Sequence, residues 1–345
     1  VRDHRSFSSR LFHNLRPKQQ QVGGRGRPAA RDAVGLLDER DRDPEAVRDF
    51  RGQHEVGRAG AGAVAEHERA ARVAGLVQVR PDLAVRGVEL EHARNGSLGR
   101  VFDHVAIAVS DLAASERFYR TVLSVLGVEP SHADAELVEW EDWDIGPTDR
   151  DHAVTRGLHV GFRAPTREAV DAFWRAGIDA GFRDDGAPGT RAIYGPDYYG
   201  GFLLDPDGNS AEAVHGERSS PVPPGRVDHL WIRVADLEAT KRFYATIAPH
   251  AGIRLGDDEP GRVQFAGGDY SFSLIDDERP LTEHVHLAFP AWDDATVRAF
   301  HAAALAAGYE DHGGPGERPV YHPGYYGAFV LDPDGHNVEV VNHNR

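Results

Sequence analysis

Asp103-His104-Val105-Ala106-Ile107-Ala108-Val109-Ser110-Asp111-Leu112 leads into Arg117-Phe118-Tyr119. Asp228-His229-Leu230-Trp231-Ile232-Arg233-Val234-Ala235-Asp236-Leu237 leads into Arg242-Phe243-Tyr244, at an offset of 125 residues. Working outward, Leu158-His159 through Asp205-Pro206-Asp207-Gly208 and Glu212 returns as Val285-His286 through Asp332-Pro333-Asp334-Gly335 and Glu339, at an offset of 127. A repeat this long is a duplicated domain and not a solenoid unit. Two His and one Glu recurring in step suggest a metal site, one per copy.

Each copy reads as two similar units. In Val101–Val109, Val105, Ile107 and Val109 alternate with His104, Ala106 and Ala108, the period of a half-buried strand. Ser110-Asp111 supplies an N-cap, and Leu112, Phe118, Tyr119, Val122, Leu123 and Leu126 follow at helical spacing until Gly127. Glu136–Trp140 and Trp143–Ile145 read as short strands. The second unit begins with a strand at Leu158–Phe162. Thr166 then caps a helix that presents Val170, Phe173, Trp174 and Ile178 and stops at Gly181. Strands are expected at Arg191–Tyr194, Gly201–Leu204 and Ser210–Val214, with Asp205-Pro206-Asp207-Gly208 as a turn. The Pro-rich segment 218–225 reads as a stiff linker, and the pattern restarts at Arg226.

Composition bounds the function. The chain has no Cys, which excludes disulfides and thiol catalysis, and no apolar run of the ~18 residues that a membrane span needs. The start of the chain lacks the apolar stretch of a signal peptide, so a cytoplasmic location is the expectation. Residues 1–100 hold 19 Lys+Arg and 14 Asp+Glu, whereas 101–345 hold 20 and 41. So acidic a repeat region argues against nucleic-acid binding. Residues 1–100 carry only three aromatics (Phe7, Phe12 and Phe50), too few to build a core, and read as a low-complexity extension rich in Arg, Ala and Gly. The chain also has no Met, and Val101 stands where the first strand begins. A basic arm that binds something acidic, a disordered extension, and upstream sequence preceding a true start are the three readings of this segment, the disordered extension being favoured over the arm.

On these motifs the chain resembles two tandem members of the vicinal oxygen chelate superfamily, at 101–217 and 226–345. That superfamily covers glyoxalase I, fosfomycin- and bleomycin-resistance proteins and extradiol dioxygenases. The motifs are Asp-His on the first strand, Leu/Val-His-x-x-Phe opening the second unit, and Leu-Asp-Pro-Asp-Gly-x-x-x-Glu at the last strand. The resemblance implies an α+β fold of two βαβββ units per domain, curved into a cup around a divalent metal: Fe(II), Mn(II), Zn(II) or Ni(II). Carried over by position, the ligands are His104, His159 and Glu212 in the first domain and His229, His286 and Glu339 in the second. His284 lies close enough to compete, but His286 aligns with His159. Two imidazoles and a carboxylate leave coordination positions open for a bidentate substrate.

The resemblance leaves the chemistry open between several members. Glyoxalase I adds a carboxylate from the last strand of the first unit; Glu139, Glu141 or Asp144 approach that place, while the second copy has Tyr270-Ser271-Phe272-Ser273. Extradiol dioxygenases add an acid/base His and a Tyr. His322 fits the first, with Tyr321 and Tyr326 as neighbours, but Phe329 and Phe202 occupy the place of the Tyr. Arg191 and Arg318 recur in step and could clamp an anionic substrate, with Tyr194 and Tyr199 as further substrate contacts. A thiol transferase of the fosfomycin type and a metal-free drug-binding protein are the alternatives. The partner implied is a small molecule, with homodimerisation as an option that the tandem domains would themselves imitate.

Overall fold

The computed structural model describes residues 101–345, except 150, 151, 193, 218–222 and 269. The expected extension at 1–100 and most of the linker therefore lie outside the described residues. Four units of the same kind follow one another. The first contains β1 (His104–Val109), α1 (Leu112–Ser124), β2 (His132–Ala133), β3 (Val138–Trp140) and β4 (Trp143–Pro147). The second contains β5 (His159–Arg163), α2 (Arg167–Asp179), β6 (Arg183–Thr190), β7 (Tyr199–Leu204) and β8 (Ser210–His215). The third contains β9 (Val227–Arg233), α3 (Leu237–Ala251), β10 (Arg254–Glu259), β11 (Arg262–Gly267) and β12 (Tyr270–Ile275). The fourth contains β13 (Val285–Pro290), α4 (Asp294–Ala306), β14 (Glu310–Glu317), β15 (Tyr326–Leu331) and β16 (Asn337–Asn342).

The helices start where side chains can satisfy their first amides. The Asp111, Thr166, Asp236 and Asp293 side chains accept from the backbone N–H three residues on. Each helix buries one stripe; in α1 it is Ser115, Phe118, Tyr119, Val122 and Leu123. The Asp-Pro-Asp-Gly turns tie the two units of each repeat together. Asp205 accepts from Tyr119 Oη of α1 at 3.1 Å, and Asp332 from Tyr244 Oη of α3 at 3.3 Å. Asp207 accepts from the backbone and hydroxyl of Ser110, and Asp334 from Ala235 N and Thr240 Oγ1. Gly208 and Gly335 hold φ of 89° and 84° in these turns, a region open to Gly at no steric cost.

The sheets are joined differently. One eight-stranded sheet runs β14-β15-β16-β13-β1-β4-β3-β2, the other β10-β11-β12-β9-β5-β8-β7-β6. Each sheet thus combines a unit from one repeat with a unit from the other. The joints are two antiparallel seams, β1 against β13 and β5 against β9. One continuous core runs through both repeats: Phe102, just before β1, touches Phe289 of its own sheet and Phe272 of the other.

Local readings mostly matched these elements, with one displacement. Arg191, Ala192 and Tyr194 lie in a turn, closed by Tyr194 N–H donating to Arg191 O, and the strand lies at Arg183–Thr190 instead. That edge strand reads Arg-Asp-Asp-Gly-Ala-Pro-Gly-Thr and pairs with shifted register, so it shows neither alternation nor strand propensity. No helix among the described residues is long and apolar enough to cross a membrane.

Because both sheets cross between repeats, the repeats should hold together without the linker. Residues 101–217 and 226–345 coexpressed as separate polypeptides should copurify as a 1:1 complex, while each alone should self-associate through its bare seam strand. Size-exclusion chromatography checks this; a monomeric, well-folded single repeat would contradict the seams.

Candidate metal centres

Along β1, His104 shares a face with Ala106 and Ala108, opposite the core residues Val105, Ile107 and Val109. The seam puts β13 beside it, with Ala106 opposite His286, and β16 lies next to β13. Three ligand-type atoms converge. His104 Nε2 and His286 Nε2 are 3.2 Å apart; Glu339 Oε2 is 3.3 Å from His286 Nε2 and 3.9 Å from His104 Nε2. In the second sheet, His159 Nε2 and His229 Nε2 are 3.2 Å apart. Glu212 Oε2 lies 3.1 Å from the first and 3.3 Å from the second. We call these cup 1 and cup 2.

Each cup therefore draws ligands from both repeats. All six residues expected from the sequence are at the centres, but the grouping differs: His104 joins His286 and Glu339, and His229 joins His159 and Glu212. The sets His104-His159-Glu212 and His229-His286-Glu339 do not form, because strand pairing carries β1 to β13 and β9 to β5. His284 stays out of the ligand set: it has φ 55° and an exposed side chain beside the cup 1 cavity.

The hydrogen bonds behind the imidazoles suit a cation. Asp103 and Asp228 each hold a His Nδ1 at 3.0 Å, which directs the Nδ1–H of His104 and His229 to a carboxylate. The hydroxyl of Ser210 donates to Asp185, so its oxygen accepts from His159 Nδ1–H at 3.1 Å. With their Nδ1 protons so engaged, these imidazoles, once their Nε2 protons are given up, turn bare Nε2 lone pairs toward the centre and toward a carboxylate, a donor set that fits a divalent cation. Asn337 replaces Ser210 in cup 1; His286 Nδ1 and Asn337 Oδ1 are both buried without a hydrogen bond. Tyr325 Oη donates to Glu339 Oε1 at 2.7 Å, and Tyr198 Oη reaches both Glu212 oxygens at 2.9 and 3.0 Å.

Glycines make room for these groups. A Cβ on Gly200 or Gly327 would occupy the place of Oε1 of Glu212 or Glu339, and one on Gly161 would overlap the His229 ring. Gly161 is the cross-strand partner of His229, whereas His104 faces Ala288. Cup 1 thus carries a methyl group where cup 2 has none, and its His–Glu distance is the longer, 3.9 Å against 3.3 Å.

A model of the Glyoxalase/Bleomycin resistance protein/Dioxygenase superfamily matches residues 101–213 and again 226–340. The chain belongs to this superfamily. Among solved structures it is similar to glyoxalase I from Zea mays, with 17% identity and a TM-score of 0.51, covering 70% of this chain and 92% of that one. It is also similar to a glyoxalase/bleomycin resistance protein from Albidiferax ferrireducens T118. There the identity is 27% and the TM-score 0.29, over 32% of this chain and 93% of that one. No curated protein sequence matches it.

The remaining expected residues of this superfamily member divide by strand parity. Glu212 pairs with Phe202, which puts Phe202, Gly200 and Tyr198 on the cup face and turns Tyr199 away. Tyr199 Oη donates to Asp171 of α2, and Tyr326 Oη accepts from Arg298 of α4. Neither faces a cup, which corrects the expectation for both. Tyr321 is buried against Tyr325 in cup 1, and Tyr194 packs on Tyr198 and Trp231 in cup 2. The guanidiniums of Arg191 and Arg318 lie over the Phe202 and Phe329 rings, 5.2 and 5.6 Å from the centroids. His322 lines cup 1 with both ring nitrogens engaged, one by Pro323 O and one by His343, which in turn binds Asp103. Sequence reading missed the carboxylate-holding role of Tyr198 and Tyr325; the signal was their recurrence at the 127-residue offset, two residues before recurring glycines.

Burial alone would lower the His104 and His229 imidazoles. Hydrogen bonds and charge from Asp103 and Asp228, with Glu339 or Glu212 adding, outweigh it and hold both at about 9. Burial lowers His159 and His286 from their ordinary value.

Two outcomes follow from this geometry. A cation must displace one proton per cup below pH 9, so metal affinity should rise by up to about tenfold per pH unit and level off above about pH 9; titration calorimetry across pH 6–10 checks this, and a flat profile would contradict it. Gly161→Ala should push His229 outward and weaken the cup 2 metal by roughly tenfold, leaving cup 1 unchanged. Metal per chain after graded dialysis measures both cups.

Proposed function

We propose that the chain is a metal-dependent enzyme that chelates vicinal oxygens of a small substrate, and that cup 1 transfers a proton next to a carbonyl, as a glyoxalase does. When bound, the divalent cation would act as a Lewis acid on the substrate oxygens. The observation that carries the reading is the pair Glu139 and Asp144. They are cross-strand partners, and Asp144 is also the partner of Ala106, so both lie on the His104 face of cup 1. They line a cavity there with His104, Tyr325, His322 and Asp103.

Burial pushes both carboxyls up, Asp144 well above its ordinary value; the charge of Glu139 adds to the rise at Asp144 and that of Asp134 to the rise at Glu139, while His104 opposes both and His132 opposes it at Glu139. A carboxylate raised toward neutrality is suited to take and return a substrate proton. Tyr325 holds Glu339 in place, and Tyr321 and Tyr325 line both cavities of cup 1, the one with His286 and Glu339 and the one with His104, Glu139 and Asp144. Cup 2 has Gln264 and Ser273 where cup 1 has Glu139 and Asp144, and these cannot serve as bases. Ring cleavage is the second reading and rests on His322. Its two engaged nitrogens and the Phe at the tyrosine position favour proton transfer instead.

Wild type should hold two metal ions per chain by elemental analysis, and Glu212→Ala and Glu339→Ala one each. Asp144→Asn should keep both metals and lower turnover of α-keto hemithioacetals by about 10²–10⁴-fold. A chain that takes up no metal would instead support a drug-binding protein, and full activity in Asp144→Asn would remove this residue as the base.

A further inference from the structure

The two cups have opposite charge on their walls. On the cup 2 face, Trp231 and Arg233 follow His229 along β9, and Ser271, Ser273, Gln264 and Arg262 lie beside them on β12 and β11. The equivalent cup 1 positions are, in the same order, Ala106, Ala108, Asp142, Asp144, Glu139 and Leu137, set by the same strand register. Arg262 makes one hydrogen bond, Nε–H to Ser273 Oγ at 3.3 Å, and forms no ion pair among the described residues. Its terminal amines are thus left for something else. Arg233 and Arg279 share a single carboxylate, Asp277, at 3.1 and 2.8 Å, so that group also keeps a positive charge.

An aromatic wall adjoins the candidate ligands. His159 touches the Trp231 ring at 5.3 Å between centroids, and Trp231 touches Tyr194 at 5.4 Å, edge to face. Burial raises the Tyr194 phenol and the charge of Glu212 adds to it, while the charges of Arg279, Arg262 and Arg191 oppose the rise. The aromatic wall adjoins the ligands, and the cations follow on β9, on β11 and in the segment after β12. Of the carboxylates nearby, Asp185 is engaged by Ser210 and Asp277 by the two arginines, while Glu259, the cross-strand partner of Arg262, forms no ion pair with it.

We propose that cup 2 selects substrates with an oxyanion, carboxylate or phosphonate, on the far side of a flat apolar body, gripped by Arg262 with Arg279 behind it. The chelating end of such a substrate rests on the metal reading above; the anion grip does not. Cup 1, with Glu139 and Asp144 on its wall, disfavours the same tail. One chain then serves two substrate classes.

The test compares catechol with 3,4-dihydroxybenzoate and 3,4-dihydroxyphenylphosphonate by calorimetry on the Mn(II)-loaded full chain. Glu339→Ala isolates cup 2 and Glu212→Ala isolates cup 1. At cup 2 at least one anionic probe should bind roughly tenfold or more tightly than catechol, the stronger of the two naming the tail. Arg262→Ala should remove that preference, Arg262→Lys should keep part of it, and 1 M salt should shrink it. At cup 1 neither tail should help. Equal binding of all three probes at cup 2, or a preference that survives Arg262→Ala, would overturn the inference and leave the metal reading standing. If the chain takes up no Mn(II), the metal reading fails, and the anion grip is decided separately. Inorganic phosphate should then shift the side-chain Nε–H resonance of Arg262 in metal-free protein, and no shift overturns it.

Discussion

The antiparallel seams between β1 and β13 and between β5 and β9 are the constraint on which both centres depend. A ligand on one edge of a unit is useless alone; it needs a second imidazole across a hydrogen-bonded strand pair and a carboxylate one strand further. Neighbouring strands lie ~4.8 Å apart, and side chains alternate faces, so a seam in the right register delivers three donors to one point. A slip of one residue would send every donor to the core side. Burial of Val105, Ile107, Leu230 and Ile232 on that other side makes such a slip costly, and in this sense apolar packing positions the polar site.

A second layer of control sits behind the ligands. Asp103, Asp228 and the Ser210–Asp185 pair decide which nitrogen of His104, His229 and His159 faces the centre. Tyr325 and Tyr198 orient the two carboxylates, and glycines at 161, 200 and 327 clear the space. Ala288 stands in cup 1 where Gly161 stands in cup 2, and the looser cup is the one with the methyl group.

Much of this was legible from residues. Alternation in Val101–Val109 named the strand and its polar face, and Asp111 and Thr166 marked helix starts that the structure keeps. All six residues that converge at the candidate centres recur at the counted offsets. Their grouping was not legible, because pairing within a repeat and pairing across repeats leave the same local pattern; only contacts across the seams, 182 positions apart in cup 1 and 70 in cup 2, distinguish them. Tyr199 and Tyr326 were misplaced for a related reason. Their parity is readable only once Glu212 is known to stand opposite Phe202, and Glu339 opposite Phe329. The edge strands β6 and β14, rich in Gly, Pro and Asp, carried no strand signal at all.

Exchange of units between repeats has a consequence for how such a chain can change over time. After a duplication, one copy is ordinarily free to drift while its twin keeps the old task. Here that freedom is absent, since each repeat contributes half of both cups and damage to either is felt at both. Divergence has to run by units instead: the first and fourth can drift together, and so can the second and third. The Glu139–Asp144 pair beside His104 and the Arg262–Ser273 pair beside His229 sit on the two sides of that divide. The molecule is duplicated along its sequence but individualised along its sheets.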